Sequence, residues 1–247
     1  MIRAITISAL TVFTSPAVFT QTTPAPAFEV ASVKPNKSGC GSTSTHTRSG
    51  EIVMENISLK GWMERAYNVK DYSLSGPPWL DSECFDVIAK PPAGTPQNRF
   101  NAMLQTLLVE RFKLAFHHES KMLPAYALIV DKKGPKIQPV EAGGSTGTSS
   151  GRGRLTGSKV SMAEFAEQLS VQLDRPVQDL TRLQGVFDYK LLWTEDKPVA
   201  PGAPDDSATG PSLFSAMQEQ LGLKLEGRKL PVQILVVDHI ERVPTEN

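Results

Sequence analysis

A series of three landmarks occurs twice along this chain, and this repetition constrains the fold more than any other feature. The landmarks are a serine before a helical pattern, a Phe-Asp pair in a strand pattern, and an apolar segment that starts with Leu-Pro and ends with Asp. They stand at Ser58, Phe85-Asp86 and 123–131, and again at Ser161, Phe187-Asp188 and 230–238. Because repeated sequence units fold into repeated structural units, we predict two homologous halves. The alternative is a chance match between two ordinary stretches.

Within each copy the hydrophobic periodicity predicts the order β-α-β-α-β-β. Apolar residues at helical spacing indicate helices at 59–67, 98–111, 162–173 and 213–221. Alternating residues indicate strands at 28–33, 51–57, 84–89, 154–160 and 186–193. The last two strands of each copy are expected to form a hairpin, 113–119 with 125–131 and 223–226 with 232–241. The predicted fold is therefore α+β, with two β-α-β-α-β-β halves packed as one globular body.

The repeat divides the chain after residue 27 into two halves. We expect residues 28–140 to form the first half and residues 154–247 the second. Residues 141–153, rich in Gly, Ser and Thr, are expected to be a flexible linker. Residues 197–210, rich in Pro, Ala and Asp, are expected to be a flexible insertion within the second half. Residues 36–50, also rich in small polar residues, are expected to form a loop.

The N-terminal residues 1–27 have the order of a secretory signal peptide. Arg3 supplies the positive start, a short apolar stretch follows at 4–13, and small-residue cleavage sites lie between 17 and 27. The pattern predicts export to the periplasm or the cell exterior, with no membrane span after signal removal. The alternative is an uncleaved anchor, which the interruption of the apolar stretch by polar residues and Pro16 disfavours.

Charge and motifs exclude several functional classes. Lys+Arg and Asp+Glu both total 26, so no excess positive field is available to bind nucleic acid. The chain contains neither a glycine-rich dinucleotide fingerprint nor a P-loop. No cofactor and no catalytic residue are predicted.

Cys40 and Cys84 are the two cysteines of the chain. In an exported protein an even pair forms a disulfide when the geometry permits. The alternative is two separate thiols, with Cys84 buried beside Phe85. The sequence leaves both possibilities open.

His117 and Glu119 form the most suggestive polar pair. On a strand both side chains point to one side, where imidazole and carboxylate groups are suited to bind Zn²⁺. A zinc site needs three or four ligands, and no partner pair is evident in the sequence. The alternative is the polar face of a strand.

Three aromatic residues are candidates for a binding groove: Trp62, Tyr67 and Trp79. Trp79 follows Gly76-Pro77-Pro78, a stiff turn that would present the ring at little entropic cost. The second copy has neither proline nor tryptophan at the matching stretch. Because most large aromatic residues are packed in cores, the interpretation of Trp79 as a core residue is favoured.

Several motifs of this chain resemble those of a known family. They are Phe-Glu-Val-Ala-Ser-Val-Lys-Pro at 28–35, Gly-Pro-Pro-Trp-Leu at 76–80, Leu-Leu-Val-Glu-Arg-Phe-Lys-Leu at 107–114 and Gln-Glu-Gln-Leu-Gly-Leu-Lys-Leu at 218–225. They are similar to the soil-associated protein family, an exported bacterial domain of unknown function. The resemblance implies no catalytic residues. The α-β-β units also resemble the short N-terminal domains of secretins and TonB-dependent receptors, a likeness of fold alone.

Together these observations predict a non-enzymatic exported module that binds a protein or peptide partner in the cell envelope, with a sensory or envelope role. The alternative is a metal-dependent or other hydrolase centred on His117 and Glu119. The sequence leaves the oligomeric state open.

Overall fold

A computed structural model describes residues 25–37, 39–48, 50–194 and 210–246. The first elements are β1 (Val30–Pro35), β2 (Ser44–Arg48), β3 (Glu51–Ser58), α1 (Leu59–Tyr67), β4 (Leu74–Ser75), β5 (Cys84–Lys90) and α2 (Phe100–Phe112). They are followed by β6 (Ala115–Val130), β7 (Pro139–Val140), β8 (Gly147–Gly151), β9 (Arg154–Val160), α3 (Met162–Leu173), β10 (Val177–Asp179), β11 (Val186–Leu192), α4 (Leu213–Ala216) and β12 (Leu223–His239). The predicted mixed α+β class is confirmed.

Local capping signals determine where the helices begin and end. The Ser58 side chain accepts a hydrogen bond from Gly61 N and starts α1. Ser161 and Glu164 form a reciprocal capping box at the start of α3. α4 continues as a π-helix over Met217–Leu221 and ends at Gly222, whose φ of 66° is left-handed. These boundaries agree with the predicted ones because they depend on neighbouring residues.

The strands form three four-stranded sheets. One sheet has the order β1-β5-β3-β2, and another has the order β7-β11-β9-β8. In the first of these sheets β3, which precedes α1, pairs antiparallel with β5, which carries Phe85-Asp86. In the second, β9, which precedes α3, pairs antiparallel with β11, which carries Phe187-Asp188. The third sheet, β10-β6-β12-β4, lies between them and consists mainly of the antiparallel pair β6 and β12.

The predicted hairpins at the end of each half are wrong. Residues 115–130 form one continuous strand, 223–239 form another, and the two pair with each other, with Leu123 opposite Leu230. Pro124 marks no strand start, because it lies within β6. The Tyr126 N–H donates to Pro176 O, on the side of β6 away from β12. Because backbone groups two residues apart on a strand point to the same side, the nitrogen of Pro124 also faces away from β12. The missing N–H of Pro124 therefore costs no hydrogen bond between β6 and β12.

Two stretches expected to be loops contain strands. β2 lies within 36–50 and pairs with β3, and β8 lies within the expected linker 141–153 and pairs with β9. A two-residue turn at Arg152-Gly153 joins β8 to β9, so small polar residues here form a hairpin edge. Of the expected insertion 197–210, only Gly210 is among the described residues; residues 1–24 also lie outside them.

Two hydrophobic cores fill the molecule, and the β6–β12 pair contributes to both. The first core centres on Trp62, Phe85 and Phe112, which are at most 1% exposed. The second centres on Phe165 and Phe187, with the Tyr189 ring tilted against Phe165. The part of the chain that the structure describes contains no helix with the length and apolar character needed to cross a membrane.

Candidate functional site

A cleft of about 620 Å³ lies between the two halves. One wall is the segment 68–73, which joins α1 to β4. The opposite wall is one face of α3, and the start of β8 borders the cleft. Distant segments of the chain therefore meet at this site.

The α3 wall presents Glu164, Glu167, Gln168 and Val171, four residues at helical spacing. The opposite side of the helix buries Phe165, Ala166 and Leu169 in the second core, which orients this face outward. Val171 is 61% exposed and gives this wall an apolar side chain that the second core does not bury. The wall thus combines carboxylates with an exposed apolar contact.

The facing wall is held by the end of α1. Asn68 is left-handed, with φ 51°, and its N–H donates to Arg65 O, which turns the chain toward Lys70 and Tyr72. Burial raises the pKa of the Tyr72 phenol, and a hydrogen bond with the Ser170 side chain opposes this effect. Tyr72 on one wall and Ser170 on the other both line the cleft.

Charges of both signs line the cleft. The Ser161 backbone N–H and hydroxyl donate to Glu164 and lower the pKa of its carboxyl. Glu167 forms no ion pair within the described ranges, and neither does Lys70 on the opposite wall. The Glu167 carboxylate and the Lys70 ammonium group are therefore available to contact a bound molecule.

The three aromatic candidates lie away from this cleft. Trp62 is 0% exposed and contacts Phe112 edge to face, so the structure places it in the first core. Tyr67 is half-buried against Phe116, and burial raises the pKa of its phenol to about 12. Trp79 packs on the rim of the first core, and the Arg242 guanidinium lies 4.8 Å from its ring centroid. The structure does not bring the three rings together as a groove.

His117 and Glu119 lie on the same side of β6 but have separate partners. His117 Nδ1 is 2.8 Å from Asp238 Oδ1, and Glu119 Oε2 is 3.3 Å from Lys121 Nζ. In the described portion, no group of three or more His, Cys, Asp or Glu side chains is arranged to hold a metal ion. The geometry supplies no third ligand to the predicted pair.

A disulfide joins Cys40 to Cys84. It holds the segment before β2 against β5. Two hydrogen bonds also join this segment to Asn56 of β3: Thr43 Oγ1 donates to the carbonyl oxygen of Asn56 at 3.0 Å, and Asn56 Nδ2 donates to Ser42 O. The bond therefore fastens the β1–β2 connection to the first sheet, and neither cysteine lines the cleft.

Sequence reasoning did not identify the cleft residues. The one available signal is Val171, an apolar residue on the polar side of α3 and one turn after Glu167. A single exposed apolar residue is common on protein surfaces, so this signal does not by itself identify a site. Lys70 and Thr148 carry no comparable signal, since loops and edge strands are commonly polar.

A family model described as proteins of unknown function (DUF3738) matches residues 60–240. The match covers more than half of the chain, including both walls of the cleft and β8. No curated protein matches the chain, and no solved structure does.

Proposed function

Because the chain belongs to the DUF3738 family, whose function is unknown, we propose a function from its geometry: a non-enzymatic module that binds a protein or peptide in the cleft between its two halves. The observation that carries this proposal is the cleft itself. Its volume of about 620 Å³ lies within the ordinary range of ligand sites.

The chemistry of the lining supports binding of a polypeptide segment. Val171 offers an apolar contact, and Gln168 and Gln233 offer amide groups. Glu167 and Lys70 offer charges that have no ion-pair partner among the described residues. Gln168 is held in place because its Oε1 accepts a hydrogen bond from Tyr189 OH at 2.7 Å. A mixed surface of this kind suits a segment with alternating apolar and polar side chains.

A random peptide library displayed on phage tests the proposal with the full chain as bait. We expect selected peptides, made synthetically with a fluorescent label, to bind wild type and to lose at least about tenfold in affinity for Val171→Asp. Val109→Asp is the matched control, because Val109 is also exposed and also lies in the last turn of a helix, α2. Failure to select any peptide, or equal loss in both variants, would count against the proposal.

We also propose that the protein works outside the cytoplasm. The signal-like pattern at 1–27 supports this, and so does the Cys40–Cys84 disulfide, since such bonds persist mainly in oxidising compartments. Fusing residues 1–27 to a phosphatase that is active only after export provides the test. A fusion that is produced but shows no phosphatase activity would contradict it.

We further propose that the halves arose by duplication. The equal strand orders of the two outer sheets support this, as does the pairing of Leu123 with Leu230, which occupy equivalent positions in the two copies. An experimental structure in which 58–131 and 161–238 fail to superpose would refute it.

A further inference from the structure

The edge strand β8 borders the cleft and carries none of the features that usually block strand pairing. Edge strands are protected by charged residues, prolines or shortness. β1 ends in Lys34-Pro35, β2 contains His46 and Arg48, and β7 has two residues, of which one is Pro139. β8 has five residues, all exposed, with no charge and no proline.

The face of β8 that points away from the Tyr189 ring is not covered by the described residues. A Cβ placed there on Gly147 or on Gly151 would meet nothing within 4 Å. Thr148 lies opposite Gly157, and a Cβ on Gly157 would meet the Tyr189 ring. Because residues directly opposite each other share one face of a sheet, the Thr148 side chain lies on the same face as that ring, where it lines the cleft. The edge strand therefore borders the cleft through Gly147 and Thr148.

The register of the β8–β9 hairpin shows which backbone groups are free. The two-residue turn makes Gly151 and Arg154 the closing hydrogen-bonded pair. Hydrogen-bonded and non-hydrogen-bonded pairs alternate along an antiparallel ladder. The N–H and C=O groups of Thr148 and Ser150 consequently point away from β9.

We propose that an extended peptide binds by adding a strand to β8, with its backbone paired to Thr148 and Ser150 and its side chains facing α3. This proposal rests on the proposed function and specifies its mode. Strand addition takes affinity from main-chain hydrogen bonds and specificity from the pockets that alternate side chains enter.

Charge and spacing on α3 indicate the composition of the peptide. Glu167 and Val171 are four residues apart, about 6 Å along a helix. Alternate side chains of a strand are about 6.7 Å apart on one face. The occupant is therefore a segment with a basic residue and an apolar residue two positions apart, the former at Glu167 and the latter at Val171. Lys70, on the facing wall, disfavours a second basic residue there.

The test uses Thr148→Pro, which removes the outward N–H and leaves the β8–β9 ladder intact. Thr148→Ala is the matched control, because it removes the same side chain and keeps the N–H. With a labelled peptide selected from the random library, we expect affinity to fall at least about tenfold for Thr148→Pro and less than about threefold for Thr148→Ala. The melting temperature of each variant checks that the fold persists.

Methylating alternate backbone nitrogens of the peptide provides a second readout that leaves the protein unchanged. One register of methylation should abolish binding and the other should be tolerated, because only alternate amides of an added strand face β8. Equal tolerance of both registers would overturn strand addition.

The outcomes separate this proposal from the proposed function. Loss of binding in Val171→Asp but not in Thr148→Pro would retain the cleft as a peptide site and overturn strand addition. Absence of any selected peptide would overturn both. A wild-type dimer that Thr148→Pro converts to a monomer would identify a second copy of the chain as the occupant and overturn the peptide proposal.

Discussion

Asp86 Oδ1, on β5, accepts a hydrogen bond from Asn56 N at 2.8 Å. Asn56 lies at an irregularity in β3 and has a φ of 55°. Asp188 Oδ1 does the same for Lys159 N, also at 2.8 Å and also at a φ of 55°. Phe85 and Phe187 point inward and are each 1% exposed, while the neighbouring aspartates accept hydrogen bonds from the backbone. The repeated Phe-Asp pair is a structural device that holds a left-handed residue within a strand.

Replacing Asp86 should destabilise the first half. Asp86→Ala leaves Asn56 N without its acceptor and removes the bond from Asn36 Nδ2, so we expect a loss of about 2 kcal/mol in the free energy of unfolding. Denaturant unfolding measures it. Asp86→Asn, which keeps one acceptor oxygen, is the control and should lose less; an unchanged midpoint in Asp86→Ala would contradict the assigned role.

Trp79→Ala should lower the free energy of unfolding by about 2 kcal/mol, because the ring packs on the first core without being enclosed by it. Arg242→Ala should remove the cation–π contact and cost about 0.5–1 kcal/mol. A double-mutant cycle measured by denaturant unfolding checks the coupling. Additive losses would show that the two side chains do not interact.

Alkaline pH should destabilise the protein through its buried tyrosines. Burial raises the pKa of Tyr67 and of Tyr189 to about 12 each, above the ordinary value of 10.0. Each native phenol therefore holds its proton more tightly than the unfolded one, so its contribution is complete below pH 10 and is lost as pH rises toward 12. Unfolding midpoints across this range should fall, and the double variant Tyr67→Phe/Tyr189→Phe should fall less steeply.

Reduction of the Cys40–Cys84 disulfide should destabilise the protein by about 4 kcal/mol, the chain-entropy value for a sequence separation of 44. Thermal melting with and without reductant measures the difference. The variant Cys40→Ala/Cys84→Ala should melt like the reduced wild type and should not respond to reductant; a response would indicate an effect unrelated to this bond.

Zinc should leave the melting temperature unchanged. His117 Nδ1 is paired with Asp238, and Glu119 lies beside Lys121, so neither belongs to a set of three or four converging ligands among the described residues. Calorimetric melting of chelator-treated protein with and without added Zn²⁺ makes the comparison. A rise that disappears in His117→Ala would favour the hydrolase alternative.

Local structure could be predicted from the sequence because its causes are local. Ser58, Ser161 and Gly222 form caps through residues at most a few positions away, and α1, α3 and β9 have the predicted bounds. The long strands β6 and β12 could not be predicted, because each is completed by a partner about a hundred residues away. Pro124 misled the prediction for the same reason, since its effect depends on which strand edge it faces.

The candidate site could not be predicted for a related reason. The cleft exists only once segment 68–73 lies opposite α3, and no periodicity in either segment encodes that placement. The composition of β8 did not predict a strand, because Gly, Thr and Ser are typical of loops. The segment is recognised as a strand only through its pairing with β9.

The sharing of β12 between the two cores has a consequence for how the chain is made. Leu223 and Leu225 belong to the second core and Leu235 belongs to the first, so β12, the last of the described strands along the chain, contributes to both. Neither core is complete during translation until β12 has left the ribosome. The apolar side chains made earlier therefore require protection from aggregation until that point.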